Sequence, residues 1–341
     1  MPSSNNGWER LPSDYYKSKN SPQPDTMRAE PLPEDPEAIF EVEQPRRSLQ
    51  SLIVSEVTKA QILAILAKIR HHHTLYVKWN LQSLDPYGGR TAINLYGPPG
   101  SGKSLCAEAI ATELGKQIIR VNYAELESKY VGETSKNIKA AFAKAKKADA
   151  VLFFDEADSI LGRRLTNVTQ SADYSVNISR SVMLLELDRF EGTTIFATNL
   201  FRNYDGAFIR RILGHIEMPL PDKECRSRLW DLHLLPTIPG AVDLVRNHLN
   251  YLAEQSEELA GGDILNAVIL AASSAVVREE TECTVTLEDI IGAIAVTRKA
   301  RQEAGREPEK PRPHITSTQM PIEHAPPDVQ QAAQLALSEP E

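Results

Sequence analysis

Gly97-Pro98-Pro99-Gly100-Ser101-Gly102-Lys103-Ser104 is the stretch on which the fold turns. It fits G-x-x-x-x-G-K-[ST], with the apolar run Ile93-Asn94-Leu95-Tyr96 before it and a helical pattern over Leu105–Leu114 after it. Strand, loop and helix in that order are the context this motif requires. The glycines let backbone N–H groups turn inward around a phosphate, and the helix N-terminus adds partial positive charge. In that arrangement Lys103 reaches the β- and γ-phosphates of a nucleotide and the Ser104 hydroxyl binds Mg²⁺. The residues from Gly97 to Leu105 are the candidate binding set for ATP.

A second acidic strand lies downstream. Val151-Leu152-Phe153-Phe154 is a continuous apolar run, as a strand buried on both faces should be. It ends in Asp155-Glu156-Ala157-Asp158. Asp155, at the strand tip, is placed to hold Mg²⁺, and Glu156 to polarise the water that attacks the γ-phosphate. That second role needs a carboxylate near the phosphate but off the metal. Asp158 reads equally as a helix N-terminal charge or as a site residue. The same four letters spell a helicase box. A helicase of that type needs two recombinase-like domains, and only roughly 80 helical-looking residues separate Pro221 from Gln302.

Further β-rich runs alternate with helical stretches: Thr91–Tyr96, Gln117–Asn122, Ala150–Asp155, Thr193–Ala197 and His215–Met218. Alternation of this kind predicts a parallel α/β sheet. Ile62, Ile65, Leu66 and Ile69 make one apolar face of a helix ahead of the sheet, and His71-His72-His73 read as its solvated end. After Pro221 the pattern is helical, with Thr284–Thr286 the one candidate strand. The expected organisation is an α/β domain over 49–221 and a small all-helical lid over 222–302.

The flanks read differently. Of 341 residues, 41% are hydrophobic and 25% charged, with a net charge of -8. Residues 1–48 carry -3 and 303–341 carry -4, which leaves the middle nearly neutral at -1. Eight of the 22 prolines fall in the first flank and seven in the last. Such segments bury too little apolar surface to offset chain entropy, so both are expected to be disordered. The weakly amphipathic stretch Val329–Leu337 is either part of that disorder or an adaptor contact. A neutral middle argues against a nucleic-acid partner, whose phosphates call for a basic footprint. No run of 18 apolar residues exists to span a membrane, and the N-terminus lacks a signal-peptide pattern. Cys106, Cys225 and Cys283 are too scattered for a disulfide framework or zinc site, which fits a reducing, cytoplasmic setting.

Taken together, the motifs resemble the AAA+ ATPases, and within them the AAA proteins proper, over residues 50–300. Thr193-Thr194-Ile195-Phe196 leads into Ala197-Thr198-Asn199, and Asn199 resembles the sensor-1 residue that helps orient the attacking water. Tyr204-Asp205-Gly206-Ala207-Phe208-Ile209-Arg210-Arg211-Ile212 resembles the second region of homology. The resemblance implies that Arg210 and Arg211 are arginine fingers reaching a neighbouring subunit's γ-phosphate, and hence a homo-oligomeric ring, a hexamer. The adjacent arginines followed by His215-Ile216-Glu217-Met218-Pro219-Leu220-Pro221 are most similar to the katanin/spastin-like branch. Gly261-Gly262-Asp263-Ile264-Leu265-Asn266 resembles that branch's sensor-2 segment, which puts Gly262 near the nucleotide; a second glycine replaces the usual alanine, and there is no sensor-2 arginine.

Lys129-Tyr130-Val131-Gly132-Glu133-Thr134 resembles pore loop 1 of protein-translocating AAA rings. There Tyr130 offers a flat apolar face to any side chain, Lys129 and Val131 flank it, and Gly132 supplies backbone freedom. Arg163–Tyr174 sits where pore loop 2 would be and reads equally as a surface loop. The implied function is a Mg-ATP-driven motor that pulls on polypeptide and remodels a protein or complex. The alternatives are a non-threading regulator whose ATP-dependent assembly switches a partner, and a helicase.

Overall fold

The computed structural model describes residues 36–86, 88–122, 126, 133–162, 171–199, 204–278 and 283–304. The chain divides into two compact units, residues 1–265 and 266–341. The first contains a five-stranded sheet in the order β2-β3-β4-β1-β5, parallel throughout. Its elements are α1 (Glu56–Arg70), β1 (Thr91–Tyr96), α2 (Lys103–Glu113), β2 (Ile118–Asn122), α3 (Glu133–Ala148), β3 (Val151–Asp155), α4 (Asp158–Leu161), α5 (Ser171–Arg189), β4 (Thr193–Thr198), α6 (Gly206–Ile209), β5 (Gly214–Glu217), α7 (Lys223–His233) and α8 (Ala241–Gln255). Two more helices follow, α9 (Gly261–Val276) and α10 (Leu287–Ala304). The expected P-loop α/β fold with a helical region after it is what the chain adopts, and the five expected strands lie within one residue of their observed limits.

Side-chain alternation in β3 shows how the sheet is covered. Leu152 and Phe154 join the core on one face, with Ile138, Ala141, Phe142 and Ala145 of α3. Those four stand at i, i+3, i+4 and i+7, one stripe of a helix. Val151 and Phe153 join the core on the other face, with Cys106, Ala107, Ile110 and Ala111 of α2. Both faces are dry, so the strand tolerates no alternation of polar residues. Phe154 stacks on Phe196 of β4 at 5.3 Å between ring centres, and Phe142 meets the edge of Phe190 at 5.3 Å. Each fully buried phenylalanine of this kind contributes about 1.5–3 kcal/mol.

Helix starts follow their caps. Ser55 Oγ accepts from the Thr58 N–H at 3.2 Å at the head of α1, and Thr58 Oγ1 in turn donates to Glu217 O at 3.2 Å, tying that helix to β5. Asp205 accepts from Ala207 N at 2.8 Å before α6, and Asp222 from Cys225 N at 2.7 Å before α7. Buried Trp230 of α7 donates to Ser256 Oγ at 2.9 Å, and Arg226 donates to Ala253 O and Pro221 O at 2.8 Å each, locking the turn into α7 against the end of α8.

Three expectations need correction or extension. Residues 36–48, expected within the disordered flank, pack on the sheet from Pro36 onward. Phe40 is 2% exposed in the α3-side core, and Glu43 pairs antiparallel with Ile118 through bonds of 2.8 and 3.0 Å. The physical reason is the edge of the sheet: β2 presents unpaired backbone groups, and this segment covers them. Residues 1–35 and 305–341, with Val329–Leu337, lie outside the described residues. Thr284–Thr286 is no strand but the head of α10, where Thr286 N donates to Asp289 Oδ2 at 2.8 Å and Asp289 N to Thr286 Oγ1 at 3.3 Å, a reciprocal cap. Of the three histidines, His71 and His73 are exposed as expected, whereas His72 is half-buried and stacks on Tyr76 at 4.6 Å.

Candidate functional site at the carboxyl ends of the strands

The tips of β1, β3 and β4 are neighbours in the sheet, so whatever follows each strand converges on one crevice. Between β1 and α2 the chain turns with positive φ at Gly97, Gly100 and Gly102. At Gly97 a Cβ would stand 2.1 Å from the backbone oxygen of Met218, so no side chain fits. At Gly102 there is open space, but φ is +91°, a conformation that costs any other residue strain.

Lys103 heads α2 and is only 8% exposed. Its ammonium donates to Gly97 O and Pro98 O at 2.9 Å each and to Asn199 Oδ1 at 2.7 Å. Burial pushes its pKa down from the ordinary lysine value, and the carboxylates of Asp155 and Asp158 pull the other way. Next to it, Ser104 Oγ donates to Asp155 Oδ2 at 3.0 Å, joining the phosphate loop to the tip of β3. The other oxygen of Asp155 accepts from the Glu156 N–H at 3.0 Å.

Glu156 is exposed, has φ of +50°, and its carboxylate makes no hydrogen bond among the described residues. A left-handed non-glycine residue costs roughly 1–3 kcal/mol and persists where its surroundings enforce it. Asp158 accepts from Thr198 Oγ1, the last residue of β4, immediately before Asn199. That bond gives Asp158 a fixed place at the rim of the crevice.

The donor set fits a Mg-nucleotide. A buried ammonium, a hydroxyl and a carboxylate meet within one loop's width, and Ser101 Oγ is buried there with no hydrogen-bond partner. Beside them opens a cavity of about 450 Å³. Gly100 to Leu105 form one wall, and Leu52, Val54, Met218, Leu220 and Leu229 supply apolar surface suited to a flat base. Gly262, expected near the nucleotide, also lines it, and its N–H donates to Gly100 O at 3.1 Å. The apolar wall was not foreseen from the sequence. Its residues come from three distant segments and carry no motif.

The two arginines after α6 are placed differently. Arg210 is exposed, and its side chain makes no hydrogen bond or ion pair among the described residues. Arg211 binds Asp188 of α5 through Nε, at 3.0 Å to each carboxylate oxygen, and through Nη2 at 2.9 Å. Lys129, Tyr130 and Val131 lie outside the described residues, as do 163–170; Ser171 to Tyr174 open α5.

Comparison with known proteins agrees with this geometry. Residues 93–220 match the family "ATPase family associated with various cellular activities (AAA)". A proteasome-activating nucleotidase of Methanopyrus kandleri is 34% identical over 222 residues, which is 62% of this chain and 49% of that protein. A cell division cycle protein 48 homolog of Archaeoglobus fulgidus is 37% identical over 238 residues, 66% of this chain and 30% of the relative. A proteasome-activating nucleotidase of Pyrococcus furiosus is 37% identical over 218 residues, 62% and 52%. The match thus spans about half or less of these relatives' length. No helix among the described residues is long and apolar enough to cross a membrane. The stretch that is similar to this ATPase family, residues 93–220, runs from within β1 to the turn before α7.

Proposed function

We propose that the chain hydrolyses Mg-ATP within a homo-oligomeric ring, a hexamer, and uses the turnover to remodel or unfold a protein substrate. The observation that carries the reading is the meeting of Lys103, Ser104, Asp155 and Asn199 at the sheet edge, through contacts of 2.7 to 3.0 Å. Ser104 and Asp155 would hold Mg²⁺ between them, exchanging their mutual hydrogen bond for the cation. Held there, the metal would supply neutralisation of the triphosphate's charge. Lys103 exchanges its bonds to Gly97 O and Pro98 O for phosphate oxygens, and Asn199, already bonded to it, orients the attacking water. Glu156 takes that water's proton; its carboxylate has no hydrogen bond to give up among the described residues. The apolar wall of the cavity receives the base. Within the first unit α7 and α8 serve as lid helices, with Gly262 on the phosphate loop.

The arginine pair acts in trans on the neighbour's nucleotide, which makes hydrolysis depend on assembly. Relatives named for proteasome activation and for cell division cycle protein 48 support work on polypeptide. The katanin/spastin-like branch rests on the Arg210-Arg211 pair with the His215–Pro221 run after it and on the Gly261-Gly262-Asp263 segment alone. Cys106, Cys225 and Cys283 form no disulfide among the described residues, which suits a reducing compartment such as the cytoplasm.

Two experiments test this. ATPase per chain should rise steeply as protein concentration passes the assembly range; dilute monomer turning over as fast as the concentrated protein would refute trans completion. A Glu156→Gln ring should bind ATP without hydrolysing it and retain its protein client on purification. Replacing Tyr130 then separates a threading motor, which loses remodelling while keeping ATPase, from a regulator that keeps both. ATPase stimulated by nucleic acid at low salt would instead favour the helicase reading.

A further inference from the structure

We infer that the adjacent arginines divide the labour: Arg210 is the finger, and Arg211 is a positioning residue held by Asp188 that aims it. This rests on the trans-acting reading above. Consecutive residues of a helical turn project about 100° apart, and Arg210, with φ of -71° and ψ of -20°, still has helical geometry. Two neighbouring side chains in such a turn therefore start out in different directions. The contacts assign the directions. Arg211 makes the bidentate contact with Asp188 and donates through Nη1 to Ala207 O at 3.1 Å, one turn back in α6. Nε, Nη1 and Nη2 each already donate within the chain, so the guanidinium is held against α5 and α6 rather than extended outward.

Asp188 is also held from a second side. Arg90, one residue before β1, donates to its Oδ1 at 2.7 Å. The carboxylate therefore pins the finger turn to both α5 and the base of β1. β1 is the strand that runs into the phosphate loop, so the turn that serves the neighbour is anchored to the element that carries this chain's own site. Arg210 is left outward and unpaired among the described residues.

The test compares Arg210→Ala, Arg211→Ala, Asp188→Ala and the Arg211→Ala/Asp188→Ala double variant in the full chain, with Asp188→Asn as the isosteric choice should either alanine variant fail to fold. Arg210→Ala should lower ATPase about 10³-fold or more with the melting temperature unchanged. Arg211→Ala and Asp188→Ala should each lose the same smaller factor, about 10²-fold as for a misplaced group, and the double variant should lose no more than either single one. Because the defect is in aim toward a neighbour, mixing either variant with Lys103→Ala subunits, whose arginines are intact, should restore hydrolysis.

Arg211→Ala losing as much as Arg210→Ala while Asp188→Ala turns over normally would overturn the division, since Arg211 would then touch phosphate itself. Failure of Asp188→Ala to recover in mixtures would equally overturn it, by reducing the contact to a folding role. Concentration-independent hydrolysis by the unaltered protein is a separate signature and would remove the trans reading itself.

Discussion

Lys103 and Arg210 are the two cations of the proposed phosphoryl transfer, and the molecule treats them in opposite ways. Lys103 is 8% exposed and bonded to three protein oxygens, its position fixed before any ligand arrives. Arg210 is exposed and unpaired among the described residues. A buried cation is costly unless hydrogen-bonded, so the chain supplies Lys103 with acceptors from its own loop and from the end of β4. An exposed one keeps its hydration until a partner surface strips it. On the proposed reading, the difference means that the phosphate-binding cation is held within one chain, whereas the arginine is displayed for another.

Removing the two charges should therefore break different things. Arg210→Ala should lower kcat by about 10³–10⁵, or roughly 4–7 kcal/mol of barrier, with nucleotide affinity and melting temperature unchanged; a matching loss of affinity in a titration would show that Arg210 serves its own site. Lys103→Ala should act on binding. Truncating one partner of a buried charge contact costs roughly 2–5 kcal/mol, so the Kd for ATP measured by calorimetry should rise at least about 30-fold. An unchanged Kd would detach the buried lysine from the phosphates.

A third substitution sharpens the contrast by acting on the loop without touching a charge. Gly97→Ala puts a methyl group 2.1 Å from the Met218 backbone oxygen. Both groups are backbone-fixed, so relief requires β1 and the turn after β5 to separate, and a chemical melt should report a loss of about 1–3 kcal/mol. A glycine outside the tight crossing offers the control: Gly292 of α10 has nothing within 4 Å of its added Cβ, and alanine there should be neutral or stabilising.

The letters of the candidate site were readable because each is local. Lys103 and Ser104 sit in one octapeptide, Asp155 ends an apolar run, and Asn199 ends another; parallel strands in a sheet then bring those ends together without further information. What stayed hidden depends on pairs distant in sequence. Nothing in the proline-rich composition around Phe40 reveals that the β2 edge is waiting for it. Leu52, Met218 and Leu229 become a wall only once three segments meet at the cavity. Arg211 reads like Arg210 until Asp188, 23 residues upstream, takes it up. Composition reports what a segment contains, and only the fold reports what it is next to.

The smallest expected effect concerns protons at the two ends of the same comparison. His233 lines the cavity, and His215 lies in β5 beyond the finger turn, its Nε2 3.4 Å from Ile209 O. Burial lowers the pKa of both, with Arg47 adding to the effect at His233 and the Ile209 carbonyl opposing it at His215. A histidine whose folded pKa lies below its unfolded value near 6.5 binds fewer protons when folded. Its contribution to stability is then fully present above that pH and is lost as pH falls from there toward the folded pKa. Melting at pH 7.5 and 5.5 should accordingly show a drop that His233→Gln makes shallower without moving the value at the higher pH. If the variant and the unaltered protein fall in parallel, the cavity histidine is not held neutral and the acid sensitivity belongs to other groups.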